Sequence, residues 1–214
     1  KALRKVQGVG PKIAQSICDI DLRQVEAALK RWHQKGIRVL TLLDDDYPAK
    51  LKMLDDAPPT LFIRGECLSF EKSLAIVGTR NPTDVSRNFA QNMSTYLVDS
   101  GYAIISGLAL GIDSAAHLGA IAHPEGQTGA VLGCGVLNIY PSVHQRLAER
   151  IQIQGFVMSE INPDVTTSPA SLVARNRIIT GLSDGLIVVE TSIDGGAMHA
   201  ARFALQQGRP VYAV

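Results

Sequence analysis

The sequence predicts an α/β protein: an extended Rossmann-like, doubly wound and mainly parallel sheet, preceded by a small helical domain. Two observations support this fold class. From Leu74 onward, short apolar segments alternate with segments of helical periodicity, and strands that are apolar along their whole length are typical of a parallel sheet buried on both faces. Before residue 36, by contrast, the apolar residues follow a helical spacing.

Residues 1–36 are predicted to form the small helical domain. Apolar side chains at helical spacing occupy residues 14–17 and 25–32, after a glycine-rich turn, QGVGPK, in which Pro11 stands near the expected start of a helix. The segment VQGVGPKIAQSI resembles a helix–hairpin–helix (SAM-like) motif, whose turn donates N–H groups to a phosphate backbone without recognising bases. Lys5 and Lys12 flank the turn and favour phosphate contact. A glycine turn between two packed helices is the alternative.

Residues 37–73 are predicted to be a connector that begins the extended Rossmann domain. A strand is expected at 37–43, and a second at 60–63 because the preceding Pro58 and Pro59 disfavour a helix. The acidic run 44–46 between them is interpreted as a solvated turn, since no further ligands stand at a spacing that suits a metal ion.

Residues 74–214 are predicted to form the Rossmann-like domain. Strands are expected at 74–77, 102–105, 129–132, 156–158, 185–189 and 210–214. Helices are expected at 86–99, 114–122, 143–153, 172–182 and 197–207. Because the last predicted strand reaches Val214 without a terminating turn, we expect the chain to be part of a longer protein whose C-terminal domain is absent from it.

Composition limits the class of protein. The 214 residues are 46% hydrophobic, which is ample for a core, yet no apolar run approaches the roughly 18 residues of a membrane span. No signal-peptide pattern opens the chain, so a cytoplasmic protein with no membrane association is expected. Cys18, Cys67 and Cys134 lie far apart without a CxxC pair, which favours reduced thiols over disulfides or a metal site.

The charges are unevenly distributed although the net charge is only +1. Residues 1–35 hold eight Lys/Arg against three Asp/Glu, residues 36–73 five against seven, and residues 74–214 eight against ten, with no lysine in the last part. A phosphate contact in residues 74–214 must therefore come from a few placed arginines and from backbone N–H groups.

Four glycine-containing loops are predicted to meet at the carboxyl edge of the sheet, where ligands of doubly wound folds bind. They are VGTR (77–80), SGLALGID (106–113), LGCGVLNIYP (132–141) and the ETSIDGGAMHAA loop that begins at Glu190. None matches GxGxxG or GxxxxGK[ST], which disfavours a conventional nicotinamide enzyme or NTPase and implies no cofactor. Asp113 is expected to cap the helix that follows it rather than to act as a base.

The segment ARNRIITGLSD, residues 174–184, is a second strong signal. Ile178, Ile179 and Leu182 fall on one predicted buried stripe, so Arg175 and Arg177 cannot both be core residues and at least one should project toward the loops. The alternative is an arginine paired with Glu160 or Glu190, because a buried guanidinium needs a partner.

Taken in order, VGTR, SGLALGID, the LGCG…YP loop, SEINP (159–163) and ARNRIITGLS resemble the DNA-processing protein A (DprA/Smf) family over residues 37–214. The resemblance implies a non-catalytic Rossmann domain that binds single-stranded DNA, forms a homodimer and helps to load the RecA recombinase onto DNA in natural transformation. By position, it implies DNA contacts at Gly78, Thr79, Arg80, Ser106, Gly107, Arg175 and Arg177. Tyr140 or Phe156 is a candidate stacking surface, with Lys5 and Lys12 as auxiliary contacts.

Two segments depart from the family's pattern. Gln127 stands where many members carry lysine, which predicts weaker DNA affinity, and GGAMHAARFAL (195–205) replaces the more usual SGSLITARLAL. A nucleotide-binding or nucleoside-monophosphate phosphoribohydrolase-like enzyme or sensor is the alternative function. Its sequence hint is Glu190 with Gly195 and Gly196, but no PGGxGTxxE pattern supplies the carboxylate that such chemistry needs.

Overall fold

The computed structural model describes residues 3–65 and 70–214 of the chain. The chain divides into two compact units, residues 1–35 and residues 36–214. Cys18 and Cys134 are free thiols, as expected, whereas Cys67 lies outside the described residues.

The first unit contains helix α1 (Pro11–Cys18) and helix α2 (Leu22–Gln34). Gly8 adopts a φ of 84°, a conformation that favours glycine, in the turn before α1, and Pro11 opens the helix at a position that needs no N–H donor. Asp21 caps α2 by accepting the Arg23 N–H at 2.9 Å. Lys12 is exposed at the start of α1, and Lys5 is exposed in the preceding 3-10 turn.

The second unit alternates strands and helices, as the apolar pattern predicted. Its strands are β1 (Arg38–Thr41), β2 (Thr60–Gly65), β3 (Ser73–Gly78), β4 (Ala103–Ser106), β5 (Thr128–Val131), β6 (Gly155–Ser159), β7 (Gly185–Val189) and β8 (Val211–Ala213). Its helices are α3 (Ala49–Lys52), α4 (Asp84–Asp99), α5 (Ile112–Ala122), α6 (Gln145–Gln154), α7 (Pro169–Ala174), α8 (Asn176–Gly181) and α9 (Gly196–Gln206).

Within the described residues, these strands form one sheet in the order β1-β2-β6-β5-β4-β3-β7-β8. The strands from β3 to β8 run parallel, while β2 pairs antiparallel with both β6 and β1. The predicted mainly parallel, doubly wound α/β fold is therefore confirmed. From β3 the chain moves outward through β4, β5 and β6, then returns to the other side of β3 with β7 and β8. The carboxyl ends of β3 and β7 thus flank the topological switch point, where doubly wound sheets form their ligand crevice.

The sheet is buried on both faces. On one face Val77 and Ile105 belong to the same apolar cluster as Ile178 of α8 and Ala200 of α9. On the other face Ile76 clusters with residues of α4 and α5. Strands covered on both sides must be apolar at successive positions, which explains why they stood out in the sequence.

Most predicted elements are shifted by one or two residues, and two of the differences have a clear local cause. The single helix expected at 172–182 begins earlier, at Pro169, where Ser168 and Ser171 form a reciprocal capping box, and it is interrupted at Arg175, which ends α7 and precedes α8. The strand expected at 37–43 ends at Thr41, because the Asp44 carboxylate accepts both the N–H and the hydroxyl of Thr41 and turns the chain.

Candidate functional site

A cavity of about 620 Å³ opens at the switch point between the carboxyl ends of β3 and β7. Of the residues that the sequence analysis selected, Gly78, Thr79, Arg80, Tyr140 and Arg175 line it. Gly107 lies in a smaller adjoining pocket together with Arg80 and Tyr140. The predicted meeting of the loops at one edge of the sheet thus places most of the selected residues around a single space.

The VGTR loop forms one wall of the cavity. A side chain at Gly78 would collide with the Val189 carbonyl and with Ile112, so the glycine permits the close approach of β3, β7 and α5. The Thr79 N–H donates to the Glu190 carbonyl at 2.8 Å, which fixes the loop against the end of β7. Arg80 is exposed, and its guanidinium makes no hydrogen bond or ion pair with any residue that the structure describes. It is therefore free to bind an anion.

Hydrogen bonds of buried side chains fix the SGLALGID loop. Ser106 is fully buried, and its hydroxyl donates to the Ile76 carbonyl at 2.6 Å. The Asp113 carboxylate accepts the N–H groups of Gly107 at 3.1 Å and Ala109 at 3.3 Å. The Gly107 N–H group is therefore not free for a ligand, because a buried carboxylate already accepts its hydrogen.

The expected capping role of Asp113 was also wrong. The N-cap of α5 is Gly111, which has a φ of 81° and makes no side-chain cap. Asp113 lies in the first turn of α5 and reaches back to the preceding loop, instead of accepting N–H groups of its own helix. Burial raises the pKa of the Asp113 carboxyl above its usual value, while Arg175 and the two N–H groups oppose that rise.

Arg175 is buried at the base of the cavity, where its side chain connects neighbouring segments. It is only 5% exposed, and its Nη1 donates to the carbonyls of Gly107 and, at 2.6 Å, Val131. Its Nε donates to the Leu172 carbonyl at 3.3 Å, and its Nη2 lies 3.8 Å from Asp113 Oδ2. Any side chain at Gly107 would collide with this guanidinium. One arginine thus joins the loop after β4, the end of β5 and the last turn of α7.

Arg177 lies apart from the cavity. Its Nη2 contacts Glu160 Oε2 at 2.5 Å, and its Nε lies 3.3 Å from Asp56 Oδ2. The alternative that one arginine of this segment pairs with Glu160 is therefore confirmed. Two residues separated by one position point to different sides of a helix, which is why Arg175 and Arg177 have different partners.

Tyr140 gives the cavity an aromatic surface. Its side chain is 47% exposed, and with Arg80 and Leu110 it also lines the smaller pocket. In the same loop region, His144 Nδ1 lies 2.8 Å from the Leu108 carbonyl, which connects the third loop to the second. The ring of Tyr140 is accordingly available for stacking. Phe156, the other stacking candidate, is fully buried in the core, so that expectation was wrong.

The fourth loop brings the start of α9 to the cavity. Gly195 is the N-cap and offers no side-chain bond, and the space beside Gly196 is open. Unsatisfied N–H groups at the start of an eleven-residue helix attract anions. The Glu190 carboxylate, in contrast, already has hydrogen-bond partners. It forms a side-chain hydrogen bond with Ser86 and accepts from the N–H and the hydroxyl of Thr83, and these bonds hold its pKa below the usual value.

Five polar residues of the cavity were not selected from the sequence. Four carry hydroxyl groups, namely Thr167, Ser168, Thr191 and Ser192, and the fifth is Asn176, which stands between the two arginines that drew attention. Ser168 followed by Pro169 is a pattern typical of a helix start. The helix predicted here began at residue 172, three residues after the observed start. Among the described residues, no group of His, Cys, Asp and Glu side chains could hold a metal ion. The same residues include no helix that is both long and apolar enough to cross a membrane.

The doubly wound sheet and the crevice at its switch point define a Rossmann-like α/β protein. Residues 38–214 match the model of the family described as DNA recombination-mediator protein A, and the chain belongs to this DprA/Smf family. It is 36% identical over 188 residues to DNA processing protein DprA of Bacillus subtilis, an alignment that covers 87% of this chain and 63% of that protein. The chain therefore spans less than two thirds of the length of this relative.

The similar solved structures include two of DNA processing protein A. One is DNA processing protein A from Streptococcus pneumoniae, with a TM-score of 0.83 and 34% identity over 94% of this chain and 69% of that one. The other is DNA processing protein A from Helicobacter pylori, with a TM-score of 0.75 and 30% identity over 83% of this chain and 80% of that one. The Helicobacter pylori structure concerns a single-stranded DNA binding mode of that protein.

Proposed function

We propose that this chain is the DNA-binding part of a cytoplasmic, non-catalytic mediator that binds single-stranded DNA and loads the RecA recombinase onto it in natural transformation and recombination. Membership of the family and the DNA-binding relative from Helicobacter pylori support the proposal. The observation that carries it is an exposed, unpaired Arg80 that faces the same cavity as the open start of α9.

The cavity supplies the two interactions that single-stranded DNA needs. Arg80 and the N–H groups at the start of α9 are suited to a backbone phosphate, and the exposed ring of Tyr140 is suited to a stacked base. In this arrangement Gly78 and Thr79 shape the wall that presents Arg80. Ser106, Gly107 and Arg175 support the site from beneath, and Arg177 would have to leave Glu160 and Asp56 to reach DNA.

A homodimer, which the resemblance to the family implies, would offset the unfavourable charge of the domain. Residues 74–214 carry two more acidic than basic side chains, so one protomer should bind DNA weakly. Two sites on one strand raise the overall affinity through effective concentration. We therefore propose that the protein acts as a homodimer on DNA.

An enzyme or sensor of small nucleotides is the second candidate, because the cavity is concave and lies beside a helix start. The Glu190 carboxylate, which was the sequence hint for this candidate, accepts hydrogen bonds from Thr83 instead of facing a ligand unpaired. A calorimetric titration with nucleoside monophosphates tests this candidate. Cleavage of a nucleoside monophosphate to the free base would replace the proposed function.

DNA binding is tested by fluorescence anisotropy with a short oligothymidine at two salt concentrations. We expect Arg80→Ala to weaken binding and to reduce the slope of log affinity against log salt by about 0.7, the contribution of one single-strand phosphate. Arg87→Ala, at an exposed position of α4, is the matched control and should change neither quantity. A wild-type affinity that does not depend on salt, or equal effects of the two variants, would remove Arg80 from the site.

The mediator role needs a separate experiment with the full-length protein. RecA-dependent strand exchange is measured on single-stranded DNA covered by a single-strand-binding protein. We expect the mediator to restore strand exchange. If it does not, the loading role is wrong even where DNA binding is intact.

A further inference from the structure

A second cavity, the amino-edge cavity, lies beside the start of α3 and toward the amino ends of the parallel strands. Its volume is about 160 Å³. The described residues that line it are residues 48–50, Phe70, Ile105, Phe156 and Leu182. Phe156 is the second residue of β6, and Phe70 and Leu182 come shortly before β3 and β7. None of these residues lines the cavity at the carboxyl ends of β3 and β7, so the two cavities are separate.

The sheet is hollow at this point because small and large residues alternate along one row of paired residues. Ile105 of β4, Gly129 of β5 and Phe156 of β6 are paired across three neighbouring strands, so they share one face of the sheet. A side chain at Gly129 would collide with the Phe156 ring, which therefore lies over the glycine. On the other side of Ile105 the row continues with Ala75. Two small residues in one row thus leave space above the sheet.

Among the described residues, the lining of the amino-edge cavity is apolar apart from Lys50. The Lys50 ammonium donates to the Ser73 hydroxyl at 3.2 Å, to the Glu71 carbonyl at 3.4 Å and to the Asp184 carboxylate at 2.8 Å. An ammonium has three donors, so all of them are used and the hydrocarbon stem is what Lys50 offers the cavity. A ligand of this cavity should therefore carry no charge.

Two aromatic rings in the lining favour an aromatic ligand. Phe70 stacks on Phe156, with ring centroids 5.4 Å apart and ring planes 17° from parallel. A further ring can join such a pair in an offset or edge-to-face arrangement. Apolar cavities of about 150 Å³ that are lined by Leu, Ile and Phe stay dry and bind benzene, and the amino-edge cavity is similar in size and lining. Lys50 and Phe70 are only partly buried, so a ligand can enter beside them.

We propose that the amino-edge cavity binds a compact, uncharged aromatic molecule of the size of benzene. The ring of the ligand contacts Phe70 and Phe156 and fills the space that Gly129 leaves above the sheet. The inference is independent of the proposed DNA site, because the two cavities share no lining residue among those described.

Thermal unfolding of the full-length protein with benzene and with benzoate tests the proposal. Benzene should raise the unfolding midpoint by about 2 °C or more, in a manner that saturates with concentration, because it binds the folded state. Benzoate adds a carboxylate to the same ring and should not raise the midpoint, since burying an unpaired charge is costly. Leu182→Phe fills the cavity and should abolish the benzene effect. Leu205→Phe, the same change at an exposed position of α9, is the matched control and should retain it.

Methyl NMR of the wild-type protein gives a second measurement that does not require a variant to fold. The ring current of bound benzene should shift the methyl signals of Ile105 and Leu182, which line the cavity, and leave those of the exposed Leu205 unchanged. Four outcomes would each overturn the inference: no saturable rise of the midpoint with benzene, an equal rise with benzoate, an equal benzene effect in Leu182→Phe, or unshifted methyl signals of Ile105 and Leu182.

Discussion

At the scale of single residues, His117 has a protonation state that its neighbours determine. It is fully buried in α5, and its Nδ1 lies 2.7 Å from the Thr128 hydroxyl. That hydroxyl donates to the Ile104 carbonyl, so it accepts from His117 and the proton is on Nδ1. Nε2 is then a buried acceptor without a partner among the described residues. Burial, together with His144 and Arg175, lowers the pKa of His117 to about 3.

His117 should therefore make the protein less stable in mild acid. Between about pH 6.5, where the unfolded histidine titrates, and the folded pKa of about 3, only the unfolded chain binds the proton. The free energy of unfolding should accordingly fall by about 1.4 kcal/mol per pH unit from this group as the pH decreases. Urea unfolding at about pH 7 and about pH 5 measures this change.

The matched variants are His117→Gln and His33→Gln, the second at an exposed position of α2. His117→Gln should lose the acid sensitivity that this histidine contributes, whereas His33→Gln should keep it. Asp113 has a raised pKa and acts in the opposite direction, so the informative quantity is the difference between each variant and wild type. Equal pH slopes in all three proteins would contradict the prediction.

At the scale of elements, Arg175 is the connection between α7, the end of β5 and the loop after β4. Arg175→Met should lower the free energy of unfolding by about 3 kcal/mol or more, because three backbone carbonyls lose their donor and Asp113 loses its cationic partner. Urea unfolding measures the loss, and Arg146→Met at an exposed position of α6 is the control. Adding Asp113→Asn should recover part of the loss. If Arg175→Met changes the free energy of unfolding by less than about 0.5 kcal/mol, Arg175 does not stabilise the fold in this way.

The same elements show how far the sequence could predict the structure. Strand 185–189 was predicted with its observed bounds because its residues are apolar throughout and a parallel sheet buries both faces. The interruption between α7 and α8 was missed, since it occurs at Arg175, whose side chain donates to the carbonyls of Gly107 and Val131, two positions distant in sequence. The pattern of the sequence identified Arg80, because that residue directly follows a predicted strand. It did not distinguish the buried Arg175 from the paired Arg177, or show that the Asn176 side chain has no hydrogen-bond partner among the described residues, because contacts distant in sequence decide these partners.

At the scale of the whole molecule, the charge is divided between the two units. Residues 1–35 carry five more basic than acidic side chains, whereas residues 36–73 and 74–214 each carry two more acidic ones. The first unit thus has a net positive charge, whereas the second unit, which holds the cavity, has a net negative charge. Positive charge in the first unit can act on DNA either as a diffuse field or through contacts at the QGVGPK turn.

Phosphate contact at the turn predicts a local effect on DNA binding. The Lys5→Ala/Lys12→Ala double variant should reduce the salt slope for an oligothymidine by about 1.4, the value for two single-strand phosphates. Lys30→Ala/Lys35→Ala removes the same charge from exposed positions at and just beyond the end of α2, away from the turn, and should change the slope less. Anisotropy at several salt concentrations measures both. Equal effects of the two pairs would mean that residues 1–35 act on DNA only as a positive field, because position would then not matter.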